Sequence, residues 1–563
     1  MVLPVLPVAA LQGAEDDNGG INLKKHLKMK KIITLATLGL LVAAAPISAQ
    51  TVYDAAKITG KDLNGTARFV GMGGAMGALG GDISTIGTNP AGIGIYRSND
   101  FMTSFGFSSY GTESKYLGDK FKSDKMQGSF DNLGFVFASK IGNETSLRYV
   151  NFGFSYTRSK SFDKYMTMEG LINLGPGGTI LSQTNQMTNQ ANTMIKENGD
   201  FISKLADDKI NLFTDSQTGW LAATGWNGYL YNLNENKDGY IGYLPQPYSW
   251  YDGHEKGGIN QYDFNVAFNI SDRVYLGLTI GAYDVNYSKT STYGEEYGEY
   301  IVENVNYGTP SYEMTTENKI DGSGVDFKFG AIVRPFEDSP FRIGVAVHTP
   351  TFYNLKIKTN VRAVTYTPDF DSKKLSEAVV DSYDFTNGVD YGYDFRFRTP
   401  WKYNLSLGYT YGSSFAIGAE YEYQDYSAMH FSYSDGEAMG WQNPTAKEML
   451  KGVNTFRIGA EWKVIPQFAF RLGYNYMSAA FKKTAFKDLS YNSINTDTDF
   501  ANAKANNNYT LGIGYRGSTF YADLAYMYST YKEDFYPFDD GALKKTDVTN
   551  SRSKVMMTLG LRF

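Results

Sequence analysis

Cysteine is absent from the 563 residues, histidine occurs only four times, and no stretch beyond the N-terminus holds eighteen apolar residues in a row. The first absence excludes disulfides, thiolate metal sites and cysteine nucleophiles. The histidines (His26, His254, His348 and His430) are scattered along the chain, so neither a histidine metal centre nor any cofactor is expected. The third absence excludes helical membrane spans, in keeping with a mean hydropathy of -0.35. Basic charge is also in short supply. A net charge of -6 argues against a nucleic-acid partner, which would call for a basic face.

What the chain has is aromatic residues and glycine: 44 Tyr, 36 Phe and 59 Gly. That composition suits strands separated by glycine turns better than helices. The length fits several ordinary domains or one large barrel.

The first 49 residues read as processing signals. Lys24, Lys25, Lys28, Lys30 and Lys31 precede the apolar run IITLATLGLLVAAAPI and then Ser48-Ala49-Gln50. A basic region, a short apolar core and a small residue at the cut make a secretory signal peptide. Met29 is its expected start, which makes 1–28 a non-native upstream extension, 29–49 the signal peptide and Gln50 the first mature residue.

Beyond residue 99 the dominant period is two. In VNFGFSYT, Val150, Phe152, Phe154 and Tyr156 share one face. In NTFRIGAEWK, Phe456, Ile458, Ala460 and Trp462 oppose Arg457, Gly459, Glu461 and Lys463; FAFRLGYNY repeats the pattern. A soluble sandwich also alternates, and two further features separate the cases. About fourteen such stretches are joined alternately by short turns, such as Ser271-Asp272, Gly412-Ser413, Ile465-Pro466 and Gly517-Ser518, and by long polar loops. That asymmetry is the pattern of an outer-membrane barrel, whose closure leaves no strand edge in hydrocarbon. The chain also finishes on SKVMMTLGLRF, where Val555, Met557, Leu559, Leu561 and Phe563 form one apolar face, as the terminal strand read by barrel assembly machinery does. The expected fold is therefore all-β: a transmembrane antiparallel barrel of about 14 strands over 100–563, in the outer membrane of a Gram-negative cell. Its longest extracellular loop is expected at about 161–260, with an amphipathic helix and a Trp-, Tyr- and Leu-rich stretch, GWLAATGWNGYLYNL. That stretch is either a cap packed on itself or an apolar landing site.

The glycine cluster GMGGAMGALGGDISTIGTNPAG at 71–92 does not fit a nucleotide cradle. Gly77 falls one residue too late after Gly71 and Gly73, and a Gly-Lys-Ser/Thr ending is missing. From Thr66-Ala67-Arg68-Phe69 through Asp82-Ile83-Ser84 to Thr88-Asn89-Pro90-Ala91-Gly92, the segment resembles the N-terminal hatch of the FadL/TodX family. Those proteins are outer-membrane transporters of long-chain fatty acids and aromatic hydrocarbons. The resemblance continues in DGSGVDFKFGAIVRPFEDSPFRIGVAVHTPT, TPWKYNLSLGYTYGSSFAIGAEYEYQDYS and FRIGAEWKVIPQFAFRLGYNYMSAAF. It implies a hatch at 50–99 inside the lumen, with Asn89, Pro90, Ala91 and Gly92 forming a structural turn and the glycines letting backbone pack tightly.

The resemblance further implies capture of a hydrophobic or amphipathic ligand at the loops, binding in the lumen, movement of the hatch and exit through a gap near the third strand. Gly153 is the candidate kink there. A carboxylate head group would call for an arginine, and parity places Arg342, Arg396, Arg398, Arg457 and Arg471 on the inner face. Glu420, Glu422, Glu461 and Asp523 also point inward, so cross-barrel pairing competes with ligand binding. The expected partners are outer-membrane lipid, the apolar ligand and, during biogenesis, the assembly machinery. Rival readings are a general porin or structural barrel and a haem-binding receptor. An enzyme is not expected, because no nucleophile motif flanks the remaining histidines.

Overall fold

The period-two segments close on one another. In a computed structural model, which describes residues 51–563 apart from 200, 208, 243 and 244, nineteen strand segments form one sheet. They reduce to fourteen antiparallel staves: β1 (Asp100–Tyr116), β2 (Asp119–Lys140), β3 (Leu147–Ser161, continued by Lys164–Leu171), β4 (Tyr248–Ile270), β5 (Val274–Glu296), β6 (Ser311–Val333), β7 (Arg342–His348 and Phe352–Asp369), β8 (Tyr391–Arg398 and Lys402–Tyr411), β9 (Phe415–Asp425 and His430–Tyr433), β10 (Gly452–Ile465), β11 (Phe468–Met477), β12 (Phe500–Arg516), β13 (Phe520–Tyr536) and β14 (Thr546–Arg562). The nineteenth segment, Lys374–Asp381, pairs only with the outer end of β7. The ring shuts where β1 meets β14, Asp100 opposite Arg562, and the backbones of Asn99 and Phe563 exchange hydrogen bonds of 2.9 and 3.1 Å. The expected 1–28 and 29–49 segments lie outside the described residues.

The outward face explains the alternation. Phe152, Phe264, Leu276, Ile280, Phe329, Leu405, Leu407, Phe456, Ile458, Phe470, Leu472, Leu511, Ile513 and Leu524 are all exposed. Contiguous apolar surface of this extent marks a membrane-facing belt. Aromatic residues flank the short-turn rim: Tyr411 and Phe415, Trp462 and Phe468, Tyr515 and Phe520. Among the described residues no helix is long and apolar enough to cross a membrane.

The staves are longer than the sequence pattern suggests. β1 and β2 meet at Leu117-Gly118, both with positive φ, although their apolar alternation ends near Phe107 and resumes near Phe130. Crossing hydrocarbon takes only about 9–11 strand residues. Beyond the belt both faces meet water, so the ladder continues without an apolar signature.

Three neighbouring staves are interrupted at one level: β7 at Thr349-Pro350-Thr351, β8 at Thr399-Pro400-Trp401 and β9 at Tyr426–Met429. Proline cannot donate to the ladder. Each break shifts the parity by one residue. In β8, Asn404 and Ser406 are buried below the break, whereas Phe395 and Phe397 are buried above it.

The long loop, 172–247 in the structure, carries α-helices over Gln183–Asn198, Phe201–Leu205 and Trp220–Asn227. It packs on itself. Trp220 is 1% exposed, donates its indole N–H to the Phe213 carbonyl at 3.0 Å and stands edge-on to the Phe213 ring. The apolar stretch thus forms the core of a cap.

Candidate functional site

Residues 51–97 lie against the inner faces of the staves. Helix α1 (Val52–Thr59) begins at a reciprocal cap, in which Thr51 N–H donates to Asp54 Oδ2 at 2.9 Å and Asp54 N–H to the Thr51 hydroxyl at 3.3 Å. Helix α2 (Ala67–Gly71) is capped by Thr66, whose hydroxyl donates to Asp82 at 2.8 Å. The glycine stretch then threads close to the wall. Gly73 has φ +61°, and a Cβ there would lie 2.8 Å from the Tyr474 amide nitrogen. The wall reciprocates with its own glycines. A Cβ on Gly459 would meet the Met72 carbonyl oxygen at 2.1 Å, and one on Gly473 the Gly73 nitrogen at 2.2 Å. Backbone packs on backbone because the glycine in each contact brings no side chain to it.

The turn at Asn89-Pro90-Ala91-Gly92 docks on the opposite side. The Asn89 side chain accepts from Ala91 N–H at 3.2 Å and donates to the Ala331 carbonyl at 3.3 Å, while His348 donates to the Thr88 carbonyl at 2.8 Å. Gly330 and Gly277 leave the space that Asn89 and Pro90 fill. Gly153 has the same part to play. It is paired in register with both Val136 and Asn265, and a Cβ there would meet Ile86 at 3.0 Å. The irregularities of β3 lie instead at Leu147/Tyr149 and Arg158/Lys160 and at Phe162-Asp163.

Three of the five arginines picked by parity face inward. Arg457 donates to Glu420 at 2.5 Å and Glu422 at 3.2 Å. Arg471 donates to Glu461 and Asp523, both at 2.6 Å. Glu461 is also held by Arg68 of α2 through two bonds, at 2.9 and 3.1 Å. Arg342 donates to the Leu79 carbonyl at 2.6 Å. These groups fasten the wall to itself and to the N-terminal segment. Arg396 and Arg398 are a correction: both are exposed, with Phe395 and Phe397 pointing inward. The break at Thr399-Pro400 shifts the parity that placed them inside.

Among the described residues, a cavity in the lumen and a smaller neighbour share part of their walls. The first, of about 270 Å³, lies beside α1 and is lined by apolar groups from several staves and loops, among them Tyr53, Phe162, Met166, Phe481, Phe500 and Met527. Tyr53 stacks on Phe481 with ring centroids 4.7 Å apart. Its cations are matched by anions: Lys57 meets Glu255 at 2.7 Å, Lys289 meets Asp497 and Asp499 at 2.7 and 2.5 Å, and Arg552 meets Asp62 at 3.0 Å. The second, of about 100 Å³, is more polar and includes Lys61, Gln261, Asp263, Lys402, Glu422 and Arg457. None of the apolar lining residues was a sequence candidate, because Phe162, Phe481 and Phe500 stand where the membrane alternation has already stopped. Among the described residues no group of three or more His, Asp or Glu is placed to hold a metal ion.

No protein-family model matches the chain and no curated protein matches it. Solved structures do. A FadL homologue of Pseudomonas aeruginosa aligns over 89% of this chain and 99% of its own at 12% identity, with a TM-score of 0.49. The Pseudomonas putida toluene transporter TodX aligns over 90% and 100% at 11% identity, TM-score 0.45. The Ralstonia pickettii toluene transporter TbuX aligns over 89% and 99% at 13% identity, TM-score 0.42.

Proposed function

We propose that this chain is an outer-membrane channel for the uptake of hydrophobic or amphipathic small molecules such as long-chain fatty acids. The observation that carries the reading is the aromatic- and methionine-lined cavity held between α1 and the barrel wall, a chemistry suited to an apolar ligand rather than to hydrated ions. A membrane-facing belt on the outside and a folded segment across the lumen support the same conclusion, since a water-filled pore would need neither the segment nor an apolar pocket. In this reading residues 51–97 act as the hatch. Ligand is captured at the loop cap, rests in the cavity and leaves when the hatch shifts. The apolar face of β14, with Val555, Met557, Leu561 and Phe563 exposed, suits recognition by barrel assembly machinery and contact with outer-membrane lipid.

Native mass spectrometry and lipid extraction of the detergent-purified protein test the proposal. A fatty acid or other apolar molecule in one-to-one proportion is the expected result. An empty protein that conducts ions in planar bilayers would favour the porin reading and overturn this one.

A further inference from the structure

The breaks in β7, β8 and β9 decide which side chains meet the membrane. Below its break, β8 turns Trp401, Tyr403, Leu405, Leu407, Tyr409 and Tyr411 outward, all of them exposed. That column has the length of about 9–11 residues needed to cross hydrocarbon, and it starts and ends on an aromatic ring, as barrel strands do at the two interfaces. The short turn Gly412-Ser413 lies at its periplasmic end. Trp401 therefore marks the outer interface, and the residues above the break stand among lipid head groups.

Above the break the pattern inverts. Phe395, Phe397 and, on β9, Phe431 are buried, and the Phe397 ring centroid lies 5.1 Å from that of Phe431 and 6.2 Å from that of Tyr353. Burying these rings fixes the rotation of the strand. Arg396 and Arg398, which alternate with them, are left facing out, both exposed, with Arg398 in register with His430.

The fold makes no use of the two guanidinium groups. Neither has an acceptor or a carboxylate within bonding reach among the described residues, whereas Arg362, further out on β7, meets Asp381 at 3.9 Å. The acids nearby are placed elsewhere. Asp394 and Asp321 both stand opposite Lys356, beyond the arginines, and Asp425 accepts from the Ser427 hydroxyl at 2.7 Å. Asp435 and Glu437 border Gly436, close to Arg396, and pair with neither arginine. A further cation, Lys447, comes from the helix Gln442–Met449. Partial burial, the Arg398 guanidinium and the Lys447 ammonium hold the His430 imidazole below its ordinary value, and no carboxylate pulls it back.

We propose that Arg398, with Arg396, His430 and Lys447, is a binding site for the phosphate of an outer-leaflet lipid head group, seated against the outside of β8 and β9. The inference goes beyond the uptake reading and needs only the orientation of the barrel in its membrane. Successive outward residues of a strand are about 7 Å apart and cross-strand neighbours about 5 Å, so long basic side chains here converge on one tetrahedral anion. A guanidinium grips two phosphate oxygens at once, and Trp401, one outward position below, lies where the acyl chains begin. On a chain of net charge -6 this patch gives an anionic lipid one place to settle.

The test titrates the full-length protein in detergent with lipid A, with lipid A stripped of its phosphates and with inorganic phosphate, read by native mass spectrometry. One lipid A should be retained per barrel, at least about tenfold more tightly than the stripped lipid. The double variant Arg396→Gln/Arg398→Gln should bind both lipids equally while remaining a heat-modifiable barrel, since neither side chain makes a bond in the fold. Arg273→Gln, an exposed position on the short-turn rim, should bind as the native protein does. Equal affinity of the native protein for the two lipids, or a folded double variant that keeps the preference, would overturn the site. Displacement of lipid A by millimolar inorganic phosphate would make it a site for free anions and overturn the lipid assignment.

Discussion

Replacing Gly459 with valine tests whether the N-terminal segment closes the lumen. A Cβ at this position would lie 2.1 Å from the Met72 carbonyl oxygen, 2.7 Å from its carbon and 3.0 Å from its Cα. All three atoms are backbone, so no rotamer change relieves the contact. Ordinary van der Waals separation demands a retreat of the 72–74 loop by about 1 Å or more, and valine's two methyls demand further room. Overpacking of a core costs about 1–3 kcal/mol when side chains can shift; here the adjustment falls on main chain. Met72 moves with Phe69, Met76 and Leu79, its partners in one apolar cluster, and a retreat there strains the bonds of Arg68 to Glu461 and of Gly77 N–H to Glu420. The stave itself is unaffected, because valine suits a strand and Gly459 is paired in register with both Gly418 and Gly473. The expected result is a folded, heat-modifiable barrel whose conductance in planar bilayers exceeds that of the native protein, with Gly128→Val, at an open position on β2, behaving as native. Native-level conductance of a folded Gly459→Val protein would refute the reasoning.

Further outcomes follow from other contacts. Arg471→Met leaves Asp523 without its cation and should cost about 3–5 kcal/mol, read as a lower urea midpoint, and adding Asp523→Leu should recover much of the loss. Trp220→Ala opens a hole in the loop cap worth about 3–5 kcal/mol, so limited proteolysis should cut within 172–247 while the staves stay protected. Lys61→Met removes a half-buried charge with no direct counterion. Because the folded group sits below its ordinary range, the charge penalty is full below pH 7 and relieved as the pH climbs toward 10, so the variant should melt at a higher temperature than the native protein at pH 6, with the gap narrowing at pH 9. A lower melting temperature at pH 6 would count against the burial argument. N-terminal sequencing of the secreted form should begin at Gln50, and a mature protein starting before Met29 would remove the assigned signal peptide.

The staves were legible because hydrocarbon on one side and a packed lumen on the other impose opposite demands on successive residues. Where that pressure stops, so does the signal, which is why β1 and β2 run on to Leu117-Gly118 unannounced. Parity reaches only as far as the ladder is regular. It placed Arg457 and Arg471 correctly inside and failed for Arg396 and Arg398, which lie beyond the Thr399-Pro400 break. Facing inward also serves cross-barrel pairing, since Glu420, Glu461 and Asp523 accept hydrogen bonds from the same arginines. Lys61, in the unremarkable run ITGKDL, has no spacing or neighbour that betrays its place in the lumen; its distinction is the lack of an acidic partner, and pairing across a lumen is a property of the closed ring alone.

The seam between β1 and β14 joins Asp100 and Arg562, side chains 462 positions apart. The segment 51–97 that lies across the lumen precedes β1 in the chain, yet the stave that shuts the ring comes off the ribosome last. Residues 51–97 must therefore be inside, or drawn inside, before that final edge is zipped. Their backbone fit against Gly459 and Gly473 is a fit to a wall that does not exist as a surface until the barrel is nearly complete, so the segment finds its seat only as the cylinder closes.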